Sequence, residues 1–383
     1  MCDILKHTTM KTGDKTMKKI HRTLSLFTVA AMCTALLCSC GAVSDSSQTD
    51  SSSKAATTTT ADTTADTTTT GEASSTASAA SAPDSSVSDS SSAVTDDTNM
   101  NGITPAMWKV TSPEGNTMVM LGSFHALKDE CYPLPEAVTN AYNNADILAV
   151  ECDITSTSED GEYMKNLMKQ MLYNDNTKLS QHISEEAYSA LQTYLGYWGM
   201  DISALEVYRP WAVSSTLDTL LIQDSGFDTE KGLDNFLLTT AHADGKEIYE
   251  VESVDFQMNL LINFSDDIYD LMFRSYEGET KESQKQALED LYTAWKSGDI
   301  ETFLEEDNEE ELAGYTEEDK KIAEDYNNQM LYDRNKNMAK AAEDLMSQGK
   351  NVFYVVGAAH YAGEGGIIDL LEKDGYTAER VQY

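Results

Sequence analysis

The chain has 383 residues, 40% of them hydrophobic, and its 65 acidic and 27 basic residues give a formal net charge of −38 at pH 7. So acidic a chain is a poor surface for nucleic acid and for anionic lipid headgroups, and we predict no nucleic-acid partner. The length suits one or two globular domains beside an unusually polar segment.

Residues 1–40 are predicted to contain a signal peptide with a lipobox. We expect translation to start at Met17, so that residues 1–16 are upstream sequence. From Met17, "MKKIHRT" supplies a basic start, and "LSLFTVAAMCTALL" supplies an apolar segment too short to span a bilayer comfortably. The run "LCSCG" that follows resembles a bacterial lipobox, in which the cysteine, here Cys40, is lipidated and becomes the new N-terminus. An ordinary secretory signal cleaved nearby is the alternative.

Residues 41–100 consist almost entirely of Ser, Thr, Ala and Asp. Such a segment cannot bury enough apolar surface to offset the entropy of ordering, so we expect a disordered tether. The expected arrangement is a protein anchored to the cell membrane through Cys40, with its folded domain on the extracytoplasmic side.

Residues 101–383 are predicted to form the folded domain, which opens with a strand–helix–strand unit. The apolar runs "TMVMLGSFH" and "ADILAVECD" predict two strands, and "LPEAVTNAYNNA" between them predicts an amphipathic helix that ends at Asn-Asn. Consecutive strands joined by a helix are typical of α/β folds.

The middle of this domain is predicted to be mostly helical, with one strand, "EIYEVES", inserted. Apolar residues three and four apart indicate helices in "ISEEAYSALQTYLGYWG", "PWAVSSTLDTLLIQDSG", "LDNFLLTTAHADGK" and the acidic stretch from Ser275 to Gln348.

A second unit closes the chain: helix "NKNMAKAAEDLMSQGK", strand "NVFYVVGAAH", helix "GGIIDLLEKDG" and strand "YTAERVQY". We therefore predict an α/β fold with a central mixed sheet, built from two diverged units that carry G-x-x-H motifs and a mostly helical middle insertion.

The two G-x-x-H motifs place Gly122 with His125 and Gly357 with His360 directly after apolar runs. A histidine at the carboxyl end of a strand lies where open α/β sheets bind ligands, and the glycine permits a sharp turn or a close approach. Such a histidine can also have a structural role, but two in one domain favour function. His182 and His242 are predicted to be surface residues.

Two acids also end apolar strands, Glu151 after "ADILAV" and Glu252 after "EIYEV". Together with His125 and His360 they form a plausible ligand set for a divalent metal such as Zn, Mn or Co. The alternative for each acid is that it caps the next element.

Arg334 and Asn335 lie in "LYDRNKNMAKAA", a helix with otherwise ordinary surface residues. An arginine there could clamp a carboxylate or stabilise an oxyanion, or could form a surface salt bridge. Cys131 and Cys152 could pair in an oxidising exterior or remain buried thiols, and spacing does not decide between these states.

These residues lie in motifs whose order resembles the TraB/GumN family, which includes Tiki-like membrane-tethered proteases. The matching motifs span roughly residues 105 to 383: "LGSFHAL", "AVECD", "YRPWAVSSTL", "KGLDNFLL", "GKEIYEVESVDFQMNLL", "LYDRNKNMA" and "VVGAAHYAGEGGIIDLLEKDGYTAERV".

The resemblance implies a metal-dependent hydrolase whose site comprises Gly122, His125, Glu151, Arg334, Asn335, Gly357 and His360. Glu252 and Gln257 occupy the family's "LETxxxQ"-like position, where this chain has Ser253 in place of threonine.

The sequence thus predicts a peptidase-like hydrolase in which His125 and His360 are metal ligands and Glu151 is a ligand or the general base. Glu252 would be a second acid, and Arg334 would stabilise an anion on a peptide or small-molecule substrate. The alternative is a binding lipoprotein that holds haem, a metal or a signalling peptide in the same cleft without turnover.

The lipobox makes a direct prediction about location. Cys40→Ala should release the protein from membranes or block its processing, because the acyl chain supplies the anchor and the acidic tether adds no lipid affinity. Membrane fractionation and the mobility of the mature protein measure both effects. Unchanged processing and membrane retention would contradict the lipobox.

Overall fold

A computed structural model describes residues 102–155, 161–304 and 315–383. The signal peptide, the lipobox with Cys40 and the tether predicted for residues 1–100 lie outside the described residues. Within the described part of the chain, no helix combines the length and the apolar character needed to cross a membrane.

Six strands form one mixed sheet in the order β4-β3-β5-β2-β1-β6. The strands β4, β3, β5 and β2 are parallel to one another, whereas β1 pairs antiparallel with β2 and β6. Their bounds are Met107–Thr111 for β1, Thr117–Ser123 for β2, Ile147–Val150 for β3, Glu247–Glu250 for β4, Val352–Gly357 for β5 and Thr377–Arg380 for β6.

The central strands are buried on both faces, which explains their unbroken apolar runs. Every residue of β3 and β5 is buried, while the edge strands β4 and β6 are mostly exposed or half-buried. Parallel strands covered on both sides read as continuous hydrophobic segments. The α/β class with a mixed central sheet is confirmed.

Eleven α-helices of the described residues lie between strands β2 and β6 along the chain. They are α1 Glu136–Asn144, α2 Gly161–Gln170, α3 Glu185–Gly196, α4 Pro210–Asp224, α5 Leu233–Asp244, α6 Val254–Asn263, α7 Asp266–Arg274, α8 Lys281–Ser297, α9 Glu317–Asn327, α10 Asp333–Ser347 and α11 Ile367–Lys373. A π-helical turn, Asn328–Tyr332, joins α9 directly to α10.

Two hydrophobic clusters fill the interior. One packs α1, α5, α8, α10 and α11 against the sheet, and the other lies among α2, α3, α4, α6 and α7. Helix α4 contributes Leu221 and Ile222 to the first cluster and Trp211 and Leu217 to the second, so it connects them. The candidate site described below lies where the two clusters approach each other.

The sequence did not predict strand β1, whose five residues "MWKVT" include a lysine and lack a clear alternation. Its pairing with β2 and β6 on either side supplies the hydrogen bonds that stabilise it. The stretch predicted as helical from Ser275 to Gln348 contains α8, α9 and α10. Cys131 and Cys152 are both buried free thiols, so they do not pair.

Candidate active site

The carboxyl ends of β2, β3, β4 and β5 lie at one edge of the sheet, because these strands are parallel. His125, Glu151, Glu252 and His360 follow these strands within three residues of their ends. The topology therefore brings together four side chains that lie far apart in the sequence, at the position where such sheets bind ligands.

A buried arginine from α10 joins the two glutamates. Arg334 donates to Glu252 through Nε at 2.8 Å and through Nη2 at 2.8 Å, and the same Nη2 donates to Glu151 Oε2 at 2.7 Å. Its Nη1 donates to the Met330 carbonyl of the π turn at 3.1 Å. Arg334 thus compensates two carboxylates at once, as the planar guanidinium permits.

Further donors hold Glu151 in one orientation. The Gly357 backbone N–H donates to its Oε1 at 2.7 Å, and Gln257 Nε2 donates to its Oε2 at 2.9 Å. Gln257 also donates to Glu252 at 2.6 Å. Burial disfavours the Glu151 carboxylate, but the charges of Arg334 and the histidines and the Gly357 hydrogen bond hold the pKa of Glu151 well below its usual range.

His360 has a defined tautomer in this site. Asn335 Nδ2 donates to the Gly365 carbonyl at 3.0 Å, so Asn335 Oδ1 is the atom that faces His360 Nδ1 at 2.6 Å. Because this oxygen only accepts, Nδ1 carries the hydrogen and Nε2 carries the lone pair, 3.7 Å from Glu151 Oε1. Burial, and then the charge of Arg334, lower the pKa of His360 to about 3.

His125 is held by a carboxylate instead of an amide. Its Nδ1 lies 2.8 Å from Asp234 Oδ2, and its side chain is 33% exposed, compared with 6% for His360. Burial opposes the imidazolium, but the charge and the hydrogen bond of Asp234 outweigh this effect and raise the pKa of His125 to about 9. The two motifs share a spacing but not an electrostatic environment.

Asp234 is a site residue that the sequence reasoning missed. It lies in the first turn of α5, where acids are common because they interact favourably with the helix dipole. The preceding Gly232 lets this helix approach the His125 backbone, because a Cβ at Gly232 would lie 2.0 Å from the His125 carbonyl oxygen. The quoted motif "KGLDNFLL" contains both residues and was the available signal.

The side chains of Glu151, His125 and His360 converge on Gly357. A Cβ on this residue would lie 3.2 Å from Glu151 Oε1, 3.6 Å from His125 Nε2 and 3.5 Å from His360 Cδ2. Gly122, the other motif glycine, packs against Ala358, and a Cβ there would come within 3.0 Å of Ala358 Cα. One glycine thus leaves space between the polar groups, and the other brings the two motifs into backbone contact.

A cavity of about 110 Å³ opens beside these groups. Apart from the residues already named, its wall is largely apolar, with contributions from Ile154, Ile222, Leu260, Leu261, Leu288, Phe303, Met330 and Leu331. A concave apolar site with a few convergent polar groups is the usual form of a small-molecule or side-chain pocket.

The other two histidines lie outside this cavity. His182 contacts Asp266 and Thr177 and stacks on Tyr173, and His242 Nε2 lies 2.7 Å from Asp153 Oδ2. Both therefore have polar partners at partly exposed positions.

His125, His360 and Glu151 are the candidate ligands for a divalent metal. As the side chains are placed, the described residues include no group of three or more His, Cys, Asp or Glu arranged to hold a metal ion. The chemistry nevertheless fits, since His125 and His360 present Nε2 while an acceptor fixes each Nδ1, the arrangement found around metal-bound histidines. Glu151 Oε1 adds an oxygen donor beside them.

A model of the TraB/PrgY/gumN family matches residues 106–380. The uncharacterized protein YbaP of Escherichia coli (strain K12) is 26% identical over 157 residues, which cover 41% of this chain and 56% of YbaP. No solved structure matches the chain significantly.

Two animal proteins are similar over different lengths. A metalloprotease TIKI homolog of Nematostella vectensis is 24% identical over 293 residues, covering 65% of this chain and 61% of that protein. The metalloprotease TIKI2 of Danio rerio is 25% identical over 164 residues, or 38% of this chain and 32% of its own length. The chain thus spans less than two thirds of these relatives.

The space that Gly357 leaves between the converging side chains can be tested by filling it with a methyl group. Gly357→Ala should fold normally, because φ −52° and ψ 138° suit alanine, but its methyl group should occupy the point where the polar groups converge. We expect affinity for Zn²⁺ or Mn²⁺, measured by calorimetry, to fall about ten- to a hundredfold. Gly196→Ala is the control, since a Cβ there meets nothing within 4 Å. Unchanged affinity in Gly357→Ala would contradict the convergence.

A second prediction concerns the buried arginine. Arg334→Met should lower the free energy of unfolding by about 3–5 kcal/mol, because it leaves two buried carboxylates uncompensated. Arg274→Met is a matched control, since Arg274 also pairs with two acids, Asp270 and Asp319, but its side chain is 31% exposed. Its loss should be roughly 1 kcal/mol. Equal losses in urea unfolding of the two variants would reject this account.

Proposed function

The chain belongs to the TraB/PrgY/gumN family, and from this premise we propose that it is a metal-dependent, peptidase-like hydrolase. The observation that carries the proposal is the convergence of His125, His360 and Glu151 beside an apolar cavity. Two animal relatives named as metalloproteases support a metal-dependent reaction. The substrate would be a peptide or a small molecule with an amide or ester bond.

His125 and His360 would hold the metal through Nε2, with Glu151 Oε1 as a third ligand. A divalent ion bound there would polarise the scissile carbonyl and lower the pKa of a water molecule. Zn, Mn and Co all accept this combination of imidazole and carboxylate donors.

Glu151 suits the role of a ligand better than that of a general base. A general base needs a pKa near the operating pH. The charge of Arg334 holds the pKa of Glu151 well below its usual range, so Glu151 stays ionised even at pH values far below neutrality. The cluster of Glu151, Glu252 and Arg334 carries one net negative charge, which favours a cation at the open side of Glu151. Glu252 completes the pairing of Arg334 and thereby keeps Glu151 oriented.

Arg334 and Asn335 act through the residues they hold. The Nε, Nη1 and Nη2 atoms of Arg334 all donate within the protein, so this side chain orients the glutamates instead of clamping a substrate anion. Asn335 fixes the His360 ring with Nε2 directed at Glu151. We assign both as positioning residues.

The proposed location rests on the sequence of residues 1–100. The predicted signal peptide, the lipobox-like sequence at Cys40 and the predicted Ser/Thr-rich tether together support the proposal of an extracytoplasmic domain anchored in the cell membrane. In that setting the substrate would be extracellular or periplasmic.

Metal content and turnover measured on the same samples test this function. The full chain, purified in detergent and loaded in turn with Zn²⁺, Mn²⁺ and Co²⁺, should cleave members of a fluorogenic peptide library. His125→Ala and His360→Ala should each lose most of the bound ion and more than a hundredfold in rate, because each removes a ligand. His182→Ala and His242→Ala are matched controls, and each should keep the bound ion and the wild-type rate.

Full metal occupancy in both ligand variants would reject the metal site. A wild-type chain that cleaves nothing with any of the three ions, but binds haem or a peptide stoichiometrically, would replace the hydrolase by a binding protein.

A further inference from the structure

The hydroxyl of Ser123, the last residue of β2, has no hydrogen-bond partner among the described residues. Ser123 is only 2% exposed, and it lines the same cavity as His125, Glu151 and His360. Buried hydroxyls in proteins almost always have a partner, because leaving one unpaired costs stability. The Ser123 hydroxyl therefore needs an explanation.

Two other buried serines have hydrogen-bond partners. Ser215 Oγ donates to the Trp211 carbonyl at 2.9 Å, and Ser112 Oγ accepts from the Asn116 backbone N–H at 3.2 Å. Ser123 differs from them by facing the cavity.

Strand register places Ser123 on the reactive side of the sheet. Ser123 pairs with Gly357 across the parallel strands β2 and β5. Paired residues on neighbouring strands point to the same face, and the strands lie about 4.8 Å apart. The face of Gly357 is the one on which Glu151 Oε1, His125 Nε2 and His360 converge, so the Ser123 side chain extends beside that point.

The other polar side chains described above are already engaged. Glu151 is an acceptor, His360 Nε2 carries a lone pair, and in the proposed function both imidazole Nε2 atoms bind metal. Arg334 and Gln257 donate to the two glutamates. The Ser123 hydroxyl is a side-chain donor of the described site that has no acceptor within the protein.

We propose that Ser123 is a catalytic residue whose Oγ–H donates a hydrogen bond to the carbonyl oxygen of the scissile amide or ester. This inference rests on the proposed hydrolase function. The carbonyl oxygen gains negative charge in the transition state, so the hydrogen bond strengthens there. A nucleophilic role is disfavoured, because a nucleophilic serine needs a base within hydrogen-bond reach, and Ser123 Oγ has none.

The experiment compares Ser123→Ala with Ser123→Thr and with Ser215→Ala in the metal-loaded full chain. The probe is whichever fluorogenic peptide the wild type cleaves. We expect Ser123→Ala to lower kcat about a hundredfold with KM changed less than about threefold, the pattern for a contact made mainly in the transition state. Ser123→Thr keeps the hydroxyl and should retain most of kcat, and Ser215→Ala should retain all of it.

Melting temperature and metal content distinguish catalysis from a structural role. Because Ser123 Oγ makes no bond within the fold, Ser123→Ala should melt no lower than the wild type and should bind the same amount of metal. A wild-type kcat in Ser123→Ala, or a lower melting temperature with loss of metal, would overturn the proposal. Labelling of Ser123 by a fluorophosphonate would also overturn it, in favour of a nucleophile.

Failure of the proposed function gives a different result. If the wild-type chain turns over none of the probes, the hydrolase function and the catalytic role of Ser123 are both rejected. If the wild-type chain turns over a probe and Ser123→Ala does so at the same rate, only the catalytic role of Ser123 is rejected.

Discussion

The candidate site depends on the placement of one guanidinium between two buried carboxylates. Glu151 and Glu252 follow neighbouring parallel strands, so the sheet itself brings two negative charges together. Without a cation between them, one would have to take up a proton. Arg334 removes this conflict and ties helix α10 to the sheet through side-chain bonds to both acids. The orientation of Glu151, and with it the polarity of the cavity, follows from this contact.

The two G-x-x-H motifs show how similar sequences acquire different chemistry. Both histidines follow a glycine at the end of a parallel strand, but one Nδ1 meets an amide and the other a carboxylate. Burial and the charge of Arg334 keep His360 neutral, whereas Asp234 favours the charged form of His125. A cation that binds between them would displace a proton from His125 and none from His360. The motif thus determines where each histidine lies, and the burial and neighbouring charges of each ring determine its protonation state.

Local pattern was enough to predict much of this site. Apolar runs that end in glycine or acid mark strand ends, and parallel strand ends meet at one edge, so His125, His360, Glu151 and Glu252 could be grouped in advance. Asp234 could not, because an acid in the first turn of a helix has the same sequence signal whether it faces solvent or a histidine 109 residues away. The engagement of all three guanidinium nitrogens of Arg334 was equally hidden, since only tertiary contacts show which groups each nitrogen meets.

The π turn before Arg334 fixes the rotational position of this arginine relative to helix α9. Helices α9 and α10 are continuous through Asn328–Tyr332, and a π turn holds one residue more than the α-helical turn it replaces. Deleting one residue there would restore regular helix and rotate everything after it by about 100° relative to everything before it. Arg334 would then leave the glutamates, or α9 would leave its packing.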